Sequence, residues 1–182
     1  MKKKIVALVS MIFLMFIVPF TVSAMEYQHE LKTKKMVFAW TIEGEQIHVK
    51  VSAGTTGWVG IGFGPEKAMQ GANIIIGYFS EKKGAKVEDH YGDRKTGHKS
   101  DVKMGGTNDI VNPSAVEKDG VTTITFSFPL KSADKWDKPI STAGMTRIML
   151  AHGKGKDSLK TRHPYRTVWD VDLSSGESKK IK

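Results

Sequence analysis

The sequence predicts an all-β fold, a two-sheet immunoglobulin-like β-sandwich that forms a single domain. Apolar residues recur with a period of two along most of the chain, and turn signals recur about every ten residues. No amphipathic pattern of helical period extends beyond a turn or two. Strands with one apolar face bury that face most simply when two sheets pack together, so these observations favour a sandwich.

The predicted strands follow one another between residues 36 and 173. The turn Glu43-Gly44-Glu45 separates the first two strands, and Lys118-Asp119-Gly120 separates a later pair. The predicted strand spans are 36–42, 47–53, 59–63, 72–79, about 110–117, 121–130, 146–153 and 167–173. The side chains that we expect to be buried are Met36, Phe38, Trp40, Val49, Val51, Ile61, Phe63, Ile124, Phe126 and Phe128.

The first 24 residues have the features of an export signal. Lysines at positions 2 to 4 precede an uncharged apolar run over 5–20, and Val22-Ser23-Ala24 offers the small residues of a cleavage site. The run has 16 residues, fewer than the roughly 20 that a membrane-spanning helix needs. We therefore expect residues 1–24 to be a signal peptide and residues 25–182 to form the domain. We also expect no stable membrane anchor and an exported location, periplasmic or extracellular.

Charge and cysteine content narrow the possible functions. Without the leader, 25 Lys and Arg residues face 19 Asp and Glu residues, a formal charge of +6, which favours an acidic partner. The lysine clusters at 32–35 and 179–182 contain no interleaved aromatic residues, so we expect no nucleic-acid binding. The chain has no cysteine, which excludes disulfides, thiolate metal sites and the covalent attachment of a c-type haem.

The segment GWVGIGFGPEKAMQG, residues 57–71, combines a stripped strand face with a loop methionine. If the apolar residues at 59, 61 and 63 face the core, Trp58 and the glycines at 60, 62 and 64 face the other way. Glycine in a strand loses entropy on folding and packs nothing, so such a face costs stability. It indicates either close approach of a neighbouring strand, or a bulge, or a flat ligand nearby. Met69 is then either a lid on the core or part of a binding site.

Several segments share a wider pattern: GWVGIGFGPEKAMQGANIIIGYF, VEDHYG, TTITFSFPL with KSADKWDKPI, and IMLAHGKGKDSLKTRHPYRTVWDVDL. Together they resemble the DOMON domain, the family that includes the cytochrome domain of cellobiose dehydrogenase. The resemblance runs from about residue 34 to residue 173. Its most specific pieces are the G-W-V-x-I-G-F-G…M-x-G-A-[DN]-I-x-I-G block and the closing H-x-x-R-x-x-x-x-D-L. It implies a β-sandwich that binds haem b non-covalently through a methionine and a histidine.

The resemblance implies the axial ligands, and the neighbouring residues supply candidates for the rest of the site. The axial ligands of the haem iron fall on Met69 and His163, with His152 as the alternative to His163. Period-two alternation, which fixes faces and not distances, gives Trp58, Ile76, Tyr78 and Met149 as candidates for the wall of the haem slot. The candidates for pairing with a haem propionate are Arg166, Lys160 and Arg162.

The implied function is that of an exported haem b electron-transfer domain, which exchanges electrons with a redox partner protein, one with an acidic surface. The alternative is a non-haem module that binds a sugar or another small molecule. We expect no enzymatic activity, because the sequence contains neither G-x-S-x-G nor H-E-x-x-H. His90 and His98 stand in a polar segment with Asp89 and Asp93, which is compatible with a divalent metal site or with an exposed loop.

Overall fold

Residues 25–182, which the computed structural model describes, form twelve β-strands and one short 3₁₀ helix. The strands are β1 His29–Lys32, β2 Met36–Glu43, β3 Gln46–Ala53, β4 Val59–Phe63, β5 Asn73–Ser80, β6 Gly84–Arg94, β7 Gly97–Ser100, β8 Val111–Lys118, β9 Val121–Pro129, β10 Met145–His152, β11 Tyr165–Asp172 and β12 Ser178–Lys180. The 3₁₀ helix Asp101–Met104 follows β7. The predicted signal peptide, residues 1–24, lies outside the described residues.

The strands form two antiparallel sheets. The smaller sheet has the strand order β1-β2-β3-β9-β8, and the larger has the order β12-β11-β10-β4-β5-β6-β7. The first hairpin pairs Phe38 with Val51, so that the alternating apolar residues of both strands share one face. The predicted two-sheet β-sandwich is therefore confirmed.

The core lies between the sheets and contains all ten side chains that the period-two pattern predicted to be buried. Trp40 joins the two layers, because its indole Nε1 donates a 2.8 Å hydrogen bond to the backbone oxygen of Leu173, directly after β11. A buried indole N–H needs such a partner. No helix within residues 25–182 is long and apolar enough to cross a membrane.

The polar segment after β5 forms regular strands, which the sequence pattern did not predict. β6 pairs with β5 along its length, and β7 completes that edge of the larger sheet after a bulge between Tyr91 and Arg94. His90 and His98 therefore lie on neighbouring strands and not in a loop. The hydrophobic pattern of β6 is weak because a strand near a sheet edge has polar residues on its outer face.

Candidate functional site

The larger sheet carries an apolar trough on its outer face, the face that points away from the core. Its floor is the row Trp58, Gly60 and Gly62 on and before β4. The opposite residues of β4, at 59, 61 and 63, lie in the core, as the pattern predicted. Flanking side chains form the walls, and these are Ile74, Ile76 and Tyr78 on β5 and Met149 and Ala151 on β10. We call these eight residues the outer trough.

Side chains of the walls cover the two glycines. A methyl group at Gly62 would lie 2.8 Å from Cε of Met149 and 3.4 Å from Cγ1 of Ile74, and one at Gly60 would lie 3.3 Å from Cγ1 of Ile76. The register of β4 with both neighbours is regular, so a bulge does not explain the glycines. Gly64 does not belong to the row, contrary to the prediction. It follows β4 with φ of +60°, a backbone conformation that glycine adopts without strain.

Met69 borders the trough from the loop between β4 and β5. The loop packs tightly onto β6, because the backbone N–H of Gly71 donates to the oxygen of Gly92 at 2.8 Å and the N–H of Gly92 donates to the oxygen of Ala72 at 2.9 Å. A Cβ atom at Gly92 would lie only 1.7 Å from the backbone oxygen of Met69. Glycine at position 92 therefore allows the approach that brings the Met69 thioether against the apolar cluster.

His163 borders the trough from the loop between β10 and β11. Trp58 fixes this loop, because its Nε1 donates to both the backbone oxygen and Oγ1 of Thr161, at 3.2 and 3.0 Å. The rings of His163 and Trp58 meet edge to face, with centroids 6.4 Å apart. Leu159 of the same loop also packs against the cluster. The structure thus brings Met69, His163, Trp58 and Tyr78 to one cluster, although their roles stay predictions.

The surroundings of His163 favour a neutral imidazole. Partial burial lowers its pKa below the ordinary value, and the guanidinium groups of Arg166 and Arg162 lower it further. A neutral imidazole has a free lone pair and is the form that binds metal ions. Arg166 is exposed on β11 and pairs with Ala151 of the trough wall. Its guanidinium group therefore adds a positive charge at the edge of the trough, on the same side as His163.

Two further histidines lie beside the trough, on the outer side of the sheet edge. Nδ1 of His90 lies 2.8 Å from Nδ1 of His98, and Nε2 of His90 lies 2.9 Å from Oε2 of Glu88. Burial lowers the pKa of His98 to about 4, and the charges of His90 and His163 lower it in the same direction. The sequence placed His90 and His98 in one polar segment, but it did not indicate that they lie on neighbouring strands beside the trough.

His152, the alternative to His163, occupies the opposite face of the sheet. It is buried at the end of β10 on the same side as Ile148 and Leu150, whereas Met149 and Ala151 point into the trough. Its ring stacks on Tyr165 with centroids 5.5 Å apart, and its Nδ1 lies 2.8 Å from the backbone oxygen of Gly153. Its Nε2 is buried without a hydrogen-bond partner. The structure therefore does not bring His152 to the cluster of Met69.

The residues around the trough fit a haem group in kind. A thioether and a neutral imidazole border the same apolar surface, and this donor pair suits haem iron. Because Gly60 and Gly62 have no side chains, the space above them is filled by apolar side chains of the walls. Above Gly62 this side chain is Met149, which is flexible and unbranched. Trp58 in the floor and Tyr78 in the wall are 4% and 5% exposed, so both rings are packed against their neighbours.

The fold and this site define a β-sandwich whose larger sheet carries, on its outer face, an apolar trough bordered by one methionine and one histidine. A model of the DOMON domain family matches residues 32–153, more than half of the chain. The chain belongs to the DOMON family.

Solved structures share the fold. The cytochrome b domain of pyranose dehydrogenase from Coprinopsis cinerea is similar, with a TM-score of 0.60, 11% identity and 78% of each chain covered. The cytochrome domain of cellobiose dehydrogenase from Myriococcum thermophilum has a TM-score of 0.58 and 12% identity, over 78% of this chain and 79% of that one.

Curated relatives are longer proteins. DBH-like monooxygenase protein 1 of Homo sapiens is 26% identical over 147 residues, which are 73% of this chain and 23% of the relative. A cytochrome b561 and DOMON domain-containing protein of Arabidopsis thaliana is 51% identical over 37 residues, 20% of this chain and 9% of the relative. The chain thus spans less than a quarter of the length of these relatives.

Proposed function

We propose that this chain is an exported haem b-binding electron-transfer domain, with Met69 and His163 as the axial ligands. The observation that carries the proposal is the outer trough, an apolar surface over a glycine floor that one thioether and one neutral imidazole border. Bound haem with this ligand pair would supply a one-electron couple without an open coordination position.

Each part of the site has a distinct task in this proposal. The walls exclude water, and the tight contact between Gly92 and the loop of Met69 holds the thioether in place. Trp58 anchors the loop of His163 through Thr161, so that the imidazole keeps its orientation. Arg166, at the exposed rim, is placed to attract a propionate carboxylate.

The partner that we propose is a redox protein with an acidic surface. The loop of His163 carries exposed cations at 154, 156, 160 and 162, and the chain without its leader has a formal charge of +6. Opposite charge accelerates encounter, and the rate falls with ionic strength. Export to the periplasm or the exterior rests on the proposed signal peptide, and electron transfer without bond-making requires no catalytic residue.

The test is reconstitution of the full chain with haem, followed by visible absorption spectroscopy. We expect a low-spin six-coordinate spectrum, sharp α and β bands in the reduced state, and little binding of carbon monoxide. Failure to take up haem under conditions that load a known b-type cytochrome would contradict the proposal. The small-molecule alternative receives less support, because a sugar platform needs an exposed ring face and Trp58 is buried.

A further inference from the structure

Three buried carboxylates meet at the edge of the sandwich, away from the outer trough. Asp89 lies on the inner side of β6, opposite Ile75, and Asp101 begins the 3₁₀ helix. Asp137 lies in the connection between β9 and β10, which crosses from the smaller sheet to the larger. A carboxylate oxygen from each of the three lies within 4.8 Å of the others. We call these residues the acidic trio.

Among the described residues, one hydrogen bond reaches a side-chain oxygen of the trio, from the backbone N–H of Asp109 to Oδ2 of Asp89 at 3.3 Å. Both side-chain oxygens of Asp101, both of Asp137 and Oδ1 of Asp89 are buried without a hydrogen-bond partner. Asp101 is 0% exposed, and among residues 25–182 no Lys, Arg or His forms an ion pair with any of the three. Buried, unpaired carboxylates are costly, and native proteins rarely keep them without a compensating group. The orphaned, fully buried Asp101 therefore indicates a ligand, independently of the clustering.

Nearby groups increase the negative charge of the site. Burial, together with the charges of neighbouring carboxylates, raises the pKa of Asp89 and of Asp101 to about 7 and that of Asp137 to about 8. The backbone amide of Tyr91 lowers the pKa of Asp101 and so opposes part of this rise. Asp109 and Asp134 are the added neighbours, and hydrogen bonds from Thr107 reach both of them.

We propose that the acidic trio binds one Ca²⁺ ion. The donor set is oxygen alone, which suits a hard cation. The three oxygens lie within 4.8 Å of one another, which is close enough for all of them to bind one cation. Mg²⁺ keeps several water ligands, for which a buried trio leaves little room.

The position of the trio would give a bound ion a structural role. A surface depression of about 440 Å³, bordered by Asp109, Ser132 and Asp134 among others, lies beside the trio and contains two of its acidic neighbours. A bound ion would tie β6 to the 3₁₀ helix and to the connection between the two sheets. Calcium would thus stabilise the edge of the sandwich, independently of haem.

The experiment compares the full chain after treatment with EDTA in the presence of no cation, millimolar CaCl₂ or millimolar MgCl₂. Saturation with Ca²⁺ at about 100 times Kd should raise the melting temperature by about 5 to 10 °C. Isothermal titration should give one Ca²⁺ per chain. Unchanged melting temperatures in all three conditions, or an equal response to both cations, would overturn the assignment to Ca²⁺.

Asp101→Asn should abolish the calcium response, whereas Asp119→Asn in the exposed turn between β8 and β9 should leave it intact. If Asp101→Asn does not fold, the wild-type chain still gives a decision with Tb³⁺. Trp136 neighbours Asp137 and donates its backbone N–H to Asp134 at 3.0 Å, so it should sensitise bound Tb³⁺. Loss of that emission on adding Ca²⁺ supports the site, and absence of emission contradicts it.

Discussion

The outer trough lies on the outer face of the larger sheet, and the acidic trio lies on its inner side, towards one edge. Along β6, Glu88 and His90 point outward beside the trough, and Asp89 between them points inward to the trio. In the trough, Met149 and the isoleucines close over the glycines, and His90 pairs with Glu88 and His98. In the trio, five oxygens stay without partners. Apolar side chains can pack against one another and fill the space of an apolar site. Carboxylates of like charge cannot stabilise one another in the same way.

The two sites are therefore recognised by different structural features. The trough is visible through missing side chains at Gly60 and Gly62 and through its two potential iron ligands. The trio is visible through unsatisfied buried atoms. The variants below test whether the two sites are also independent in binding.

The largest effect is expected from His163→Ala. Loss of even an outer partner of a metal ligand reduces affinity by about 10- to 100-fold, so loss of the ligand itself should remove most of the haem. The ratio of Soret to protein absorbance measures this loss. The calcium-dependent shift in melting temperature should be unchanged, since His163 lies on the outer side of the sheet. If His152→Ala removes haem and His163→Ala does not, the axial assignment is wrong.

Gly92→Ala should disturb Met69 without removing the histidine ligand. The new methyl group would lie 1.7 Å from the Met69 backbone oxygen, so the loop has to move. We expect retained haem, a partly high-spin spectrum and a lower reduction potential, because the thioether would no longer be held at the iron. Gly54→Ala is the matched control, because no atom lies within 4 Å of its added methyl group. Equal spectra for the two variants would argue against Met69 as a ligand.

Gly62→Val separates a haem floor from a merely structural glycine. Its Cβ would meet the end of the flexible Met149 side chain at 2.8 Å, so the fold should tolerate the change while haem binding weakens. Gly77→Ala, on the inner face, would place its Cβ 2.6 Å from the backbone oxygen of Lys86 and should instead reduce stability. Haem titration and thermal unfolding measure the two effects. Reduced stability of Gly62→Val with unchanged haem affinity would show that the glycine is structural.

The smallest effect is expected from Trp58→Phe. The variant keeps an apolar ring but loses the hydrogen bonds from Nε1 to Thr161, which should cost about 1 kcal/mol. The melting temperature should fall by about 2 to 4 °C, and the haem spectrum should broaden as the loop of His163 loosens. A spectrum identical to wild type would mean that the loop is held by other contacts.

The sequence by itself determined the sandwich, the first hairpin and the buried faces of β2, β3, β4 and β9. Period-two alternation specifies which side chains share a face, and it correctly separated Val59, Ile61 and Phe63 from Trp58, Gly60 and Gly62. The same parity placed Met149 outward and, applied one step further, would have placed His152 inward with Leu150. The pair Met69 and His163 came from the family resemblance and not from parity.

Only the tertiary structure decided which distant residues meet. Asp89, Asp101 and Asp137 come from a strand, a short helix and a long connection, and no local pattern relates their positions. The same holds for the contact of Gly92 with Met69 and for the closure of Met149 over Gly62. Alternation is set by the backbone geometry of a single strand, whereas these contacts depend on strand order and loop paths, which arise only when the two sheets pack.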